Sequence, residues 1–488
     1  MMHFSKIQIV IFAAIVLPGC VGKEEFYEDV TLSRDAAYQR WQGGKEVERQ
    51  SQPIVRGQLG IEDCLKLTLA NNKLLQRTLQ EKEIARGGEM GSLSAILPSV
   101  DLTAGYERLD KVSSFTIADR KITLGDVDNY SAGLRVTQPI FAGAAIPARI
   151  NAGRLTSLLS DQTVRATLQE VVYAAMHGYY DVLLNQHLCT ISEDAVRSAQ
   201  AHLDSVKQKR QGGVASDFDV LRAEVELSNF EAELIRNQNA INIARANLLK
   251  TMGVAQDSNV ILTDELTYVP VETTLENAIG SAFKNRPEMF SAELQIKLQR
   301  ELLDVSQSRY WPIIYGYYNN IWSQPDPHNV MLIEWGRAWN AGLTAAWPIF
   351  DGFAREGDII AQKARVKQAQ VDLVDAEETA IFELTKAILS IGDADRFVKS
   401  QQLNLTRAEE GLRLAEVGYR EGTNTQVEMI DAQAALTTAK ANYYEAIYSH
   451  LVAKLDLHKA IGTLAEYKAA PQPGADAVGA EKVAVDEK

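Results

Sequence analysis

A chain of 488 residues with only 7% aromatics and 23% charged side chains suits long helices better than a compact α/β enzyme. Its net charge of −14 excludes nucleic acid as a partner, because phosphate binding needs a basic surface. Three Cys, at positions 20, 64 and 189, form neither an even disulfide framework nor a CxxC pair.

The first element is an address. Lys6 precedes the apolar run Ile7 to Leu17, then Pro18-Gly19-Cys20. Residues 1–19 read as a secretory signal peptide. Cys20 directly after a small residue resembles a bacterial lipoprotein signal, in which that Cys is lipidated and becomes the first residue. Pro18 departs from that pattern, and an ordinary signal peptide cut nearby is the competing reading. The run is far short of the ~20 residues of a membrane-spanning helix, and no later run is long enough either. Residues 20–58 are polar and mixed, with Gly43-Gly44 and Pro53, and predict an irregular, lipidated N-terminal arm.

From Leu59 to Leu97 the pattern is helical, with a break suggested at Asn71-Asn72 and a stop at Pro98. Val100, Leu102, Ala104 and Tyr106 then alternate with polar and small residues, a two-faced strand over about 99–109. A polar loop around Asp119 to Asp128 leads to a return strand over about 129–139, with Tyr130, Ala132, Leu134 and Val136 on one face. That strand ends at Pro139-Ile140-Phe141-Ala142-Gly143. Proline disfavours a continuing ladder and glycine allows a sharp redirection, so the phrase marks a corner where strand becomes helix. A helix over about 144–211 follows, then the break Gly212-Gly213 and a second, antiparallel helix over 216–252. Ser216 is its predicted N-cap, with Asp217 and Asp219 in the first turn. At ~1.5 Å per residue the first helix is a rod of roughly 100 Å, which must pack along its length to be stable.

The arrangement then recurs. Repeat 1 occupies 59–253, a linker 254–273, and repeat 2 274–467; the Ala-, Gly- and Pro-rich tail 468–488 predicts disorder. Ile61 and Pro98 recur 214 residues later at Leu275 and Pro312, whereas Pro139 and Gly213 recur 209 residues later at Pro348 and Gly422. The second corner reads Pro348-Ile349-Phe350-Asp351-Gly352. It is preceded by strands over about 312–322 and 336–348 and followed by a long helix over about 354–421. The five-residue difference between the two offsets falls inside the hairpin, where a loop absorbs it.

Two hairpins supply four strands, about half the practical minimum for a closed barrel. If their apolar face meets lipid, the edges must pair with other copies, since lipid tolerates only helices and closed barrels. Five of the six Trp (Trp311, Trp322, Trp335, Trp339 and Trp347) sit in or beside the second hairpin, as in the aromatic girdles of membrane barrels. An aromatic core in a water-soluble sheet is the alternative.

The two hairpins, the Pro-Ile-Phe corners, the paired long helices and two turn phrases together resemble the TolC family of bacterial outer-membrane efflux proteins, over roughly residues 59–467. The turn phrases run from Arg210 to Leu221 and from Gly418 to Thr423, and the ending Ala460-Ile461-Gly462-Thr463-Leu464 is similar to the family's as well. The resemblance implies a mainly α protein with a membrane β-barrel portion. It would be a homotrimer whose 12 strands form an outer-membrane barrel and whose helices form a periplasmic tunnel. It implies partners too: a periplasmic adaptor and, through it, an inner-membrane pump or secretion ATPase. Gly213, Ser216, Asp219, Gly422 and Thr423 would lie at the periplasmic tip that meets the adaptor. The family closes its tunnel near this tip with inward acidic residues. The nearest matches are Arg413 and Glu416, which would make an alternating Arg/Glu constriction with Glu409 and Arg420 close to the same face; a solvated outer charge stripe is the alternative. Pro139, Phe141, Gly143, Pro348, Phe350 and Gly352 would mark the seam between barrel and tunnel, with plain packing as the other role open to the two Phe.

No phosphate-binding GxxxxGK[ST] loop, HExxH zinc motif or catalytic triad is legible, so no enzyme, metal or cofactor is expected. Cys64 and Cys189 read as buried small residues that could pair if close. Export of small solutes and secretion of proteins are both open as duct functions. A periplasmic or surface coiled-coil structural protein is the alternative from another class.

Overall fold

The computed structural model describes residues 23–42, 53–117, 119–271 and 273–466. The signal segment, Cys20 and the tail from 467 lie outside these. Where an irregular arm is expected, helix α1 (Lys23–Gln42) forms, a unit described by itself. The body begins with strand β1 (Arg56–Leu59) and helices α2 (Ile61–Asn71) and α3 (Lys73–Ser92). Strand β2 (Ser99–Arg108), a small hairpin of β3 (Ser113–Ile117) and β4 (Arg120–Leu124), and the return strand β5 (Asp128–Phe141) follow. The rod α4 (Ala145–Gln211) then pairs with α5 (Asp217–Met252), and strand β6 (Asn259–Leu262) closes the first half. The second half holds α6 (Leu275–Asn285), α7 (Pro287–Gln307), β7 (Ile313–Gln324), β8 (Gly336–Ala346), α8 (Ala354–Glu421) and α9 (Gln426–Ile461).

The rods are held by a coiled-coil seam. The buried positions of α8 run Ala380, Leu384, Ala387, Ile391, Ala394, Val398, at steps of four and three. The half-buried Gln401, Leu405, Ala408 and Leu412 and the buried Ala415 continue them. That 3.5-residue period keeps one stripe against a neighbour, and the small Ala between larger residues lets α9 approach. Below the sheet the core gathers Met176, Tyr179, Leu248, Leu249 and Met252, all essentially inaccessible to solvent. Each fully buried side chain of this size contributes ~1.5–3 kcal/mol. The Tyr179 hydroxyl serves two acceptors there, the Leu59 carbonyl at 2.9 Å and Asp264 Oδ2 at 2.8 Å.

Both short-helix pairs break where the returning helix ends. Asn72 caps α3, accepting from the Leu75 N–H at 3.0 Å and donating to the Thr251 carbonyl at 2.7 Å. In the second half Arg286 takes that place, with Pro287 at the first helical position. The Arg286 guanidinium, buried, pairs with Glu383 at 2.7 Å. Gly253 and Gly462, with φ of 71° and 85°, end α5 and α9. A Cβ at Gly253 would lie 2.3 Å from the Asn71 carbonyl oxygen, and one at Gly462 2.9 Å from the Arg286 nitrogen. Only glycine fits either place.

The main sheet has the order β2-β5-β7-β8, all antiparallel. Two further sheets depart from the sequence reading. β1, at the junction of the stretches read as arm and helix, pairs in parallel with β6 in the stretch read as linker, and β3 pairs with β4 between the two strands of the first hairpin, where no strand is expected. These four- and five-residue strands are too short to carry a legible alternation. The first corner differs as well. Pro139 does not end its strand: the ladder shifts register there and continues to Phe141, opposite Ile314. A β-bulge accommodates the proline, whose missing N–H would otherwise leave a gap in the pairing. At the second corner the ladder stops at Ala346, before Trp347-Pro348.

Candidate functional site

One face of the sheet is mainly apolar, broken at Asn320 of β7 and Arg337 of β8, where Arg337 Nε donates to Asn320 Oδ1 at 3.0 Å. Val100, Leu102, Ala104 and Tyr106 lie opposite Val136, Leu134, Ala132 and Tyr130. The face continues through Tyr318 and Trp322 of β7 to Ala341 and Leu343 of β8. The other face is polar. Arg135 Nε donates to Asn319 Oδ1 at 3.1 Å, and Asn319 Nδ2 to Asn340 Oδ1 at 3.0 Å. Every residue of β2 is exposed, on both faces, as a sheet between lipid and lumen requires of an isolated protomer.

The tryptophans form two levels. Trp322, Trp335 and Trp339 lie near the loops with Tyr106 and Tyr130, whose rings are 5.1 Å apart; Trp311 and Trp347 lie at the helix end. Trp347 lies eight residue steps beyond Trp339, just past the end of β8. At ~3.4 Å per residue and a tilt of ~40° that is roughly 20 Å of height, close to the apolar band of membrane barrels. Among the described residues no helix is long and apolar enough to cross a membrane.

The far ends of the rods repeat one design. Gly213 and Gly422 adopt left-handed φ of 74° and 80° at the turns. Ser216 caps α5 through a capping box: its N–H donates to Asp219 Oδ2 at 2.8 Å, and the Asp219 N–H to Ser216 Oγ at 3.2 Å. The backbone donor, then the hydroxyl, hold the Asp219 carboxyl below its ordinary range. Thr425 and Glu428 reproduce the box on α9. The Thr423 N–H donates to the Gly418 carbonyl at 2.8 Å, and its hydroxyl to the same oxygen at 3.1 Å.

A clasp joins the two tips, and nothing in the sequence reading foresaw it. Gln426 Nε2 donates to the Asp219 carbonyl at 3.0 Å and lies 3.3 Å from His202 Nε2. The Tyr419 ring meets His202 edge-on at 5.7 Å and carries Lys209 Nζ over its face at 3.7 Å. Burial first, and Lys209 second, push the His202 imidazole below its ordinary value. The signal was present only as separate residues on four helices.

Arg413 and Glu416 follow the seam positions Leu412 and Ala415 directly, so with Glu409 and Arg420 they form one exposed stripe beside the seam. Arg413 turns back to Glu410, donating through Nε at 2.8 Å and Nη2 at 2.6 Å. Of the corner residues, Phe141 is partly and Phe350 largely exposed. Gly143 and Gly352 both have left-handed φ, 58° and 69°. Cys64 and Cys189 are both free and buried, so the pairing left open for them does not form. Burial pushes the Cys64 thiol up to about 12, leaving no thiolate for chemistry. Among the described residues no group of three or more His, Cys, Asp or Glu could hold a metal ion.

The sequence signature described as Outer membrane efflux protein matches residues 64–254 and 278–463. The Outer membrane protein TolC of Vibrio cholerae serotype O1 is 22% identical over 403 residues, 81% of this chain and 89% of that one. The Proteases secretion protein PrtF of Dickeya chrysanthemi is 23% identical, over 84% of this chain and 89% of that one. Among solved structures, the CmeC outer membrane channel of Campylobacter jejuni aligns with a TM-score of 0.72 at 16% identity, over 83% of this chain and 85% of that one.

Proposed function

The chain belongs to the outer membrane efflux protein family, and from that premise we propose that it is one third of a passive export duct, with a barrel in the outer membrane and a tunnel through the periplasm. Family members are homotrimers that work with a periplasmic adaptor and an inner-membrane pump or secretion ATPase. The observation that carries the reading is the sheet: four long strands, one face mainly apolar, one face mainly polar, and two open edges. Such a sheet is stable in lipid only if copies close it, and three copies give twelve strands. This subunit supplies a path, and its partners choose the cargo and supply the energy.

Three features complete the proposal. Cys20 carries the lipid anchor. Gly213, Ser216, Asp219, Gly422 and Thr423 meet the adaptor, supported by their position at the two rod tips. The stripe Glu409, Arg413, Glu416 and Arg420 narrows the tunnel near the tip, supported by its exposure beside the coiled-coil seam.

Reconstitution in planar bilayers, with oligomer mass measured on the same sample, tests the duct. Discrete channel conductance from a species of three protomers is expected. Recovery in the soluble periplasmic fraction, without heat-modifiable oligomers, would leave the coiled-coil structural protein as the better reading. On the same bilayers, replacing Arg413 and Glu416 with Ala should raise single-channel conductance; an unchanged value removes them as constriction residues.

A further inference from the structure

The two halves obey one set of registers. Adding 214 to a β2 residue and 209 to its β5 partner yields the observed β7–β8 pair: Ser99–Thr137 becomes Ile313–Ala346, and Leu102–Leu134 becomes Gly316–Leu343. The helices obey it too, since α2 maps onto α6 and α5 onto α9 from first residue to last. The boundary from the first half to the second, β5 against β7, is therefore a template for the boundary from the second half to whatever follows it. Among the described residues no strand pairs with the outer side of β8, which is the edge of the sheet.

We infer that the β8 edge of one copy pairs with the β2 edge of the next in the register of the β5–β7 seam, which places Ala345 opposite Ala104 and Leu343 opposite Tyr106 of the neighbouring copy. The inference rests on the homotrimer of the proposed function and adds the residues that close it. The numbers come from the observed pairs Val136–Tyr318 and Leu134–Asn320, shifted forward by 209 and back by 214.

Three observations made independently of that shift agree with it. The first is facing. The derived pairs join apolar-face residues to apolar-face residues, and Ala346 to Thr103 on the polar face. A slip by one residue would put Leu343 opposite Gly105 and mix the faces. The second is the corner. Gly143 is seated: a Cβ there would lie 3.1 Å from Trp311 Cδ1 and 3.2 Å from Ser308 Cβ. Gly352 meets nothing within 4 Å, and Phe350 beside it is 74% exposed. The template brings Ser94 and Leu97 of the neighbouring copy to it, and Leu97 is itself 56% exposed. The third is the helices. α7 packs against both α4 and α8, and most of its residues are half-buried or buried. Its counterpart α3 packs chiefly on α4 and is mostly exposed, while α8 leaves Ile360, Val371 and Phe382 bare. The neighbour's α3 on α8 covers both.

Cysteine pairs read the register in the full-length protein, with the parent chain as control for its native thiols. Residues directly opposite have Cα atoms ~4.5–5.5 Å apart, inside the disulfide range, whereas two-residue slips lie ~7–8 Å apart, outside it. Ala104→Cys with Ala345→Cys should therefore give a covalent trimer in at least about tenfold higher yield than Ala345→Cys with either Leu102→Cys or Tyr106→Cys. Native mass of each variant separates the two ways to fail. An intact trimer that cross-links best in a slipped pair overturns the register and leaves the duct standing. A monomeric mass for the parent chain overturns the homotrimer and the seam together. As a second readout, Gly352→Val should lower the trimer fraction of folded protein; full trimer recovery would count against the seated corner.

Discussion

The first corner and the second corner share Pro-Ile-Phe-x-Gly, and their surroundings differ. Around Gly143 the chain supplies Trp311 and Ser308, and the strand runs on past its proline. Around Gly352 the protomer supplies nothing, the strand stops early, and Phe353 is forced into left-handed backbone with φ 68°. The rod tips show the opposite behaviour. Each closes with a left-handed glycine and a capping box, and the two are tied by Gln426. What a repeated sequence becomes depends on what its neighbour in space is. The first half has the second beside it, and the second half has an empty flank.

Valine at the two corner glycines should separate them most. Gly143→Val adds left-handed strain of ~1–2 kcal/mol to overpacking of ~1–3 kcal/mol against Trp311 and Ser308, about 3 kcal/mol in all. Gly352→Val should cost the protomer only the strain, ~1–2 kcal/mol. Denaturant melting of detergent-solubilised protein compares them, and equal losses would show that the corners are alike after all. At the tips, Ser216→Ala and Thr425→Ala should each cost ~1 kcal/mol, and a large difference between them would break the symmetry of the caps. Phe353→Gly should stabilise by ~1 kcal/mol in the same melts, because glycine adopts φ 68° without a Cβ clash.

The smallest effect expected is a dependence on pH. Burial holds both His202 and His450 below the ordinary imidazole value of 6.5. As pH falls through 6.5 the unfolded chain takes up protons that the folded chain refuses, so stability declines until the folded values are reached. Melting at pH 5.5 should lie below that at pH 7.5, and His202→Gln should narrow the gap by its share. An unchanged gap would place the sensitivity in His450 and its neighbours instead of the clasp.

The rods, the four long strands and the repeat were legible because each is long enough for a period to show: 67 residues for α4, 12 for β7. The strands β1, β3, β4 and β6 were not, at four or five residues each. The capping residue Ser216 announced itself through local chemistry, three residues before Asp219. The clasp could not, because His202, Asp219, Tyr419 and Gln426 meet only after two rods of roughly 100 Å have folded side by side. The Arg413–Glu410 pair was missed for another reason. The sequence offers Arg413 an acid on either side, and only the side chain's direction chooses.

The hairpin β3–β4 occurs once per chain, at the end of the sheet away from the rods, between Arg108 and Asp128. A closed duct of three copies would display it three times around the mouth that opens to the surroundings. A short epitope inserted between Ile117 and Arg120 would then be readable from outside an intact cell, without entering the pathway that the cargo takes.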